Sequence, residues 1–172
     1  MGHSVSSMIG ALASIRAPGR FSRLVMVGPS PRYIDDGDYR GGFSGDQIEE
    51  LLGVLAENQL GWSNMMAPAI MGNADRPELG EELTASFCRM DPEIARAFAR
   101  VTFTGDNRAD LPRIAIPTLV LQCTDDVIAP LEVGDYVHAN IPDSTLVVLN
   151  ATGHCPNLSA PDEVVAAINA FI

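Results

Sequence analysis

Gly2-His3-Ser4-Val5-Ser6 opens this 172-residue chain. A serine with small side chains two residues to either side suits a strained turn between a strand and a helix. In such a turn the hydroxyl stands clear of the backbone, and the next N–H faces the oxygen on which charge develops. Ser6 occupies the position of the second small residue, usually glycine, and is still small enough to pack there. Taken alone, the pentapeptide reads equally well as a serine capping the apolar helix that begins at Val5.

Two downstream stretches choose between these readings. Thr118-Leu119-Val120-Leu121-Gln122-Cys123 has the continuous apolar character of a buried parallel strand, and it runs into Thr124-Asp125-Asp126-Val127-Ile128-Ala129-Pro130. A carboxylate on the loop leaving such a strand is placed to orient an imidazole. Asp125 competes for that role, and the Asp-x-x-x-Pro spacing to Pro130 favours Asp126. A further strand, Thr145 to Leu149, leads into Ala151-Thr152-Gly153-His154-Cys155-Pro156, where Gly153 lets the loop turn His154 back over the sheet. His138 falls mid-helix, and the His3 side chain is expected to point away from Ser4, which leaves His154 as the general base. Cys155 has no neighbouring helix N-terminus or basic group to activate it and reads as a packing residue. Serine, acid and histidine in that chain order, each at a strand end, form the signature of the α/β-hydrolase fold. Ser4 is then the nucleophile, Asp126 the orienting acid and His154 the base, and the Val5 N–H is an oxyanion donor.

The rest of the chain fits an α/β architecture. The apolar spacing from Val5 to Ile15 predicts a helix, and Leu24-Val25-Met26-Val27 a buried strand closed by Gly28-Pro29. A polar, glycine-rich loop follows over about Ser30 to Gly42. Four helical segments come next, with no strand among them: one capped by Asp46 and carrying Ile48, Leu51, Leu52 and Leu55; one with the stripe Trp62, Met65, Met66 and Ile70; one started by Pro77; and one started by Asp91-Pro92-Glu93 and carrying Ile94, Ala97, Phe98 and Val101. Helices at 131–139 and 161–171 accompany the last two strands. The predicted fold is the C-terminal part of an α/β-hydrolase core, residues 1–34 and 110–172, carrying a four-helix cap at 35–109.

Composition narrows the function. A net charge of −11 argues against phosphate-directed nucleic-acid binding, and no apolar run is long enough to cross a bilayer. No basic-then-apolar leader opens the chain, and Cys88, Cys123 and Cys155 are an odd count without CxxC spacing. A cytoplasmic location with free thiols is expected, with no metal or cofactor.

Gly2 to Gly10, Gly-His-Ser-Val-Ser-Ser-Met-Ile-Gly, resembles the corresponding segment of the bacterial RsbQ proteins and of the plant strigolactone and karrikin receptors. So do Leu24 to Pro31, Gly41-Gly42-Phe43, Gly61-Trp62, Asp91 to Ala95 and Leu119 to Gln122. Ser30-Pro31-Arg32-Tyr33 and Gly153-His154-Cys155-Pro156 are similar to the bacterial branch. The resemblance covers essentially the whole chain. It implies a V-shaped cap over an apolar pocket lined by Phe43, Trp62, Met66 and Phe103, although plain helix packing is the commoner fate of such residues. It also implies a slow hydrolase of a small hydrophobic ester or lactone used as a sensor, with a phosphatase partner in stress-response signalling.

One departure from that family stands out. Its members have a run of strands before the elbow, and here only Met1 precedes Gly2. The strand feeding Ser4 and the loop giving the second oxyanion N–H are therefore expected to be missing, in a truncated chain. Of the three strands legible in the sequence, the first should then expose an unpaired apolar edge, with weak catalysis and poor solubility.

Overall fold

The computed structural model describes residues 1–172. It contains one parallel sheet of four strands in the spatial order β1 (Gly2–His3), β2 (Leu24–Val27), β3 (Thr118–Asp125), β4 (Ser144–Thr152). Helix α1 (Val5–Arg16) follows β1, and four helices lie between β2 and β3: α2 (Gly45–Glu57), α3 (Gln59–Met71), α4 (Pro77–Cys88) and α5 (Pro92–Thr104). A 3-10 turn at Arg108–Arg113 leads back to the sheet. Helix α6 (Leu131–Asn140) joins β3 to β4, and α7 (Pro156–Ser159) and α8 (Pro161–Phe171) close the chain. No helix is long and apolar enough to cross a membrane.

Two residues of the strand feeding Ser4 are present. Gly2 and His3 pair in parallel with Met26 and Val27, and Ser4 N–H donates to the Val27 carbonyl at 2.8 Å. β1 covers β2 only at Met26 and Val27, and the side chains of all four β2 residues are buried by the elements packed on the two faces of the sheet. Leu24 and Met26 face Met8 and Ala11 of α1 together with Val120, Val133 and Val137. Val25 and Val27 pack on the other side with Leu119, Leu121 and Val164 of α8. A parallel strand buried on both faces is apolar at every position, which is why this run shows no alternation.

The helical stretch has its own core, built from Ile48, Leu52, Leu55, Trp62, Met66, Ile70, Met71, Ala99 and Phe103, and this core reaches Tyr33, Ile128 and Cys155 beneath it. Three local expectations change. Ser44, not Asp46, caps α2: its hydroxyl accepts from Gln47 N–H while the Gln47 side chain accepts from Ser44 N–H, a reciprocal box that Asp46, already in the first turn, cannot make. On α5 the buried face is Ala95, Ala99 and Phe103, whereas Ile94, Phe98 and Val101 are exposed, because the small alanines allow close helix approach. Met65 is likewise exposed, on the outer face of α3.

The two crossings between the sheet and these helices are tied together. Asn107 N–H donates to the Pro31 carbonyl, Arg32 pairs with Asp106, and Arg108 pairs with both Asp36 and Asp106. The Arg108 guanidinium also lies over the Tyr39 ring.

Candidate active site

Ser4 sits between β1 and α1 with φ 55° and ψ −128°, one of two non-glycine residues with positive φ. A tight turn there needs small neighbours. A Cβ on Gly2 would lie 2.3 Å from the Ser6 carbonyl oxygen, so only glycine fits. The Val5 N–H, the first of α1, is left without a hydrogen bond in the chain, and Val5 and Ser4 both line the same cavity.

The structure brings the three sequence-predicted polar residues into one chain of hydrogen bonds. Asp126 is buried and accepts the Ile128 and Ala129 N–H groups on Oδ1 at 2.8 and 3.1 Å. Its Oδ2 accepts from His154 Nδ1–H at 2.7 Å. That bond fixes the tautomer, leaving Nε2 as an acceptor for the Ser4 hydroxyl at 2.7 Å. The competing Asp125 is exposed, and only its carbonyl takes part, accepting from Gly153 N–H at 2.7 Å. His138 lies away from this cluster, its Nδ1 within 2.8 Å of Ser144 Oγ.

The His154 loop is held by the helices above it. Gly153 has φ 88°, and a Cβ there would come within 1.9 Å of the Met71 carbonyl oxygen. His154 N–H donates to the Ile70 carbonyl at 2.7 Å, and Asn73 bridges the Met71 and Thr152 carbonyls. Gly28, φ 53°, lies against the imidazole, where a Cβ would be 3.2 Å from the ring.

A cavity of about 440 Å³ opens over Ser4, walled by Leu55, Trp62, Ile70, Phe87, Phe98, Phe103 and Ile128. Of the residues expected to line it, Trp62 and Phe103 do. Phe43 and Met66 do not: Phe43 is held by its backbone, bonded to Tyr33 and Asp35, and Met66 turns into the core between the helices. A wider hollow of about 840 Å³ beside α3 and α4 contains no part of the Ser4–His154–Asp126 chain.

Several wall residues gave no sequence signal. Tyr33 is buried edge-on to Phe103 with its hydroxyl 3.4 Å from Ser4 Oγ, and burial raises its phenol to about 12, so it stays protonated. Gln59 Oε1, Trp62 Nε1 and Thr102 Oγ1 are buried in the wall without hydrogen-bond partners. Gln59 and Thr102 come from separate helices, so nothing in their local sequence marks them. His3, expected to point away, lines the cavity, and its ring centroid lies 5.1 Å from that of His154. Burial raises the Cys155 thiol to about 11, which keeps it a neutral packing group.

The chain is similar to known proteins in sequence and fold. Residues 1–167 match the alpha/beta hydrolase family, and the chain belongs to it. It is 39% identical over 165 residues to a strigolactone esterase of Arabidopsis thaliana, covering 95% of this chain and 61% of that protein. It is 36% identical over 169 residues to a karrikin insensitive 2 receptor of Petunia hybrida, covering 98% of this chain and 63% of the receptor. A hydrolase from Oleispira antarctica superposes with a TM-score of 0.96 at 40% identity, over 99% of this chain and 63% of its own. The chain therefore spans less than two thirds of the length of these relatives.

Proposed function

We propose that the protein is a serine hydrolase acting on a small, largely apolar ester or lactone. The observation that carries this reading is the unbroken Ser4–His154–Asp126 hydrogen-bond chain beneath an aromatic-walled cavity. Ser4 Oγ attacks the acyl carbon while its proton passes to His154 Nε2, and Asp126 holds the imidazole and stabilises its cation. The oxyanion faces the Val5 N–H at the positive end of α1. His154 returns the proton to the leaving alkoxide as the carbon–oxygen bond breaks, giving an acyl-enzyme. Water then attacks, losing its proton to His154, which passes it to Ser4 Oγ as the acyl–oxygen bond breaks, releasing the acid and restoring Ser4. The core at 1–34 and 110–172 supplies this chemistry, and the cap at 35–109 supplies most of the apolar wall of the cavity, completed by Tyr33 and Ile128 of the core.

The free polar atoms of Gln59, Trp62 and Thr102 favour a substrate that carries at least one polar group within its apolar frame. The relatives that include receptors support a second reading, in which occupancy of the cavity is sensed and turnover is slow. An RsbQ-type role, with a phosphatase partner in stress-response signalling, belongs to that second reading, and Cys88, Cys123 and Cys155, all unpaired, suit a reducing cytoplasm. Hydrolysis of a p-nitrophenyl ester tests the first. Ser4→Ala should abolish it, and turnover unchanged by that substitution would sink the assignment of the nucleophile.

A further inference from the structure

His154 needs its backbone fixed as well as its ring. Its N–H is bonded to Ile70, and its carbonyl, in a residue only 3% exposed, has a single donor within reach: His3 Nε2, at 2.6 Å. His3 lies in the elbow, immediately before Ser4. The two residues that must meet at 2.7 Å are therefore joined twice, once through the Ser4 hydroxyl and once through the His3 side chain to the His154 main chain. An aliphatic residue at position 3 would keep the elbow but orphan a buried carbonyl and release the loop on that side.

From this geometry we infer that His3 is a positioning residue for the hydrolysis, its Nε2–H anchoring the loop that presents the His154 imidazole to Ser4. The inference rests on the proposed hydrolase reading for its kinetic consequence, but not for the anchor itself. Carbonyl oxygens only accept, so Nε2 must carry the proton. The charged and titratable groups facing the ring are His154 and Asp126; burial and His154 both lower the His3 pKa, which favours the neutral form. The neutral ring still donates from Nε2, so the anchor does not depend on protonation to the cation.

Two substitutions separate this role from simple packing. His3→Phe keeps a ring and removes the donor, whereas His3→Gln carries an amide N–H at a similar reach. The rate of Ser4 modification by a fluorophosphonate, followed by intact mass across pH on the full chain, reads the alignment of nucleophile and base. His3→Phe should lower the limiting rate by about tenfold or more with little change in reagent affinity, since small misplacements cost up to about 10²-fold. His3→Gln should recover most of it. The second measurement needs no reactivity: ¹⁵N-histidine spectra should show one His154 tautomer, protonated at Nδ1, in the wild type and His3→Gln, and a mixture in His3→Phe. If both variants react like the wild type, or both lose equally, or the tautomer of His154 is indifferent to His3→Phe, the inference is overturned. A wild-type chain that never reacts at Ser4 defeats the hydrolase reading alone, and the spectra still decide the anchor.

Discussion

Gly153→Ala should be among the most damaging single-methyl additions in this protein. Gly153 has φ 88°, which an L-residue adopts at a cost of roughly 1–2 kcal/mol. The new Cβ would also fall 1.9 Å from the Met71 carbonyl oxygen and 2.6 Å from its carbon, both backbone atoms at the end of α3 that cannot rotate away. The loop and the helix must separate, and the bond from His154 N–H to the Ile70 carbonyl lies at that seam. Leaving a buried donor unpaired costs about 1–3 kcal/mol, so the total is roughly 2–5 kcal/mol. Gly19→Ala is the matched control: its φ is 82° and a Cβ there meets nothing within 4 Å, so it should lose only the roughly 1–2 kcal/mol of the backbone term. Urea unfolding of both variants, analysed by linear extrapolation, reads the difference. Equal losses would refute the claim that α3 buttresses the His154 loop.

Asp126→Asn should lower ester turnover by about 10⁴-fold with little loss of fold. The amide oxygen takes over the Ile128 and Ala129 N–H groups, its NH₂ then faces His154 Nδ1, and the imidazole proton is forced onto Nε2, where it blocks the Ser4 hydroxyl; a steady-state assay showing less than tenfold loss would contradict this. Ser44→Ala should cost about 0.5–2 kcal/mol of stability at any salt concentration. Asp46→Ala should cost only the first-turn helix-dipole contribution of about 0.3–1 kcal/mol, and high salt should screen it; urea melts at low and high salt distinguish the two. His3 titrates below its ordinary 6.5 because burial disfavours its cation, so below pH 6.5 the unfolded chain takes up this proton first. Its contribution is therefore fully present above pH 6.5 and is lost as pH falls from there toward the folded value, with a slope of at most about 1.4 kcal/mol per pH unit. The pH dependence of unfolding in His3→Gln should lack that component.

The chain order of Ser4, Asp126 and His154 and the apolar runs at 24–27, 118–123 and 145–149 were enough to read an α/β core with a helical insertion. These are local signals: a strand buried on both faces shows itself as an unbroken apolar run, and a strained elbow shows itself as small residues around a serine. Gly2–His3 escaped notice as a strand because two residues carry no periodicity; only their register against Met26 and Val27 makes them one. The α5 face is not legible in the sequence because Ala95 and Ala99 are weaker apolar signals than Ile94 and Phe98, yet fit a close helix contact better.

What the sequence determined by itself was the identity and order of the groups that could do chemistry. Which wall residues face Ser4 was decided only in three dimensions. Phe43 is drawn aside by its backbone bonds, Tyr33 is brought to 3.4 Å from the Ser4 hydroxyl, and His3 is turned onto the His154 carbonyl. Each of these depends on the distance between segments remote in the chain. That distance is set by packing and hydrogen bonding among the elements, which no local pattern of residues records.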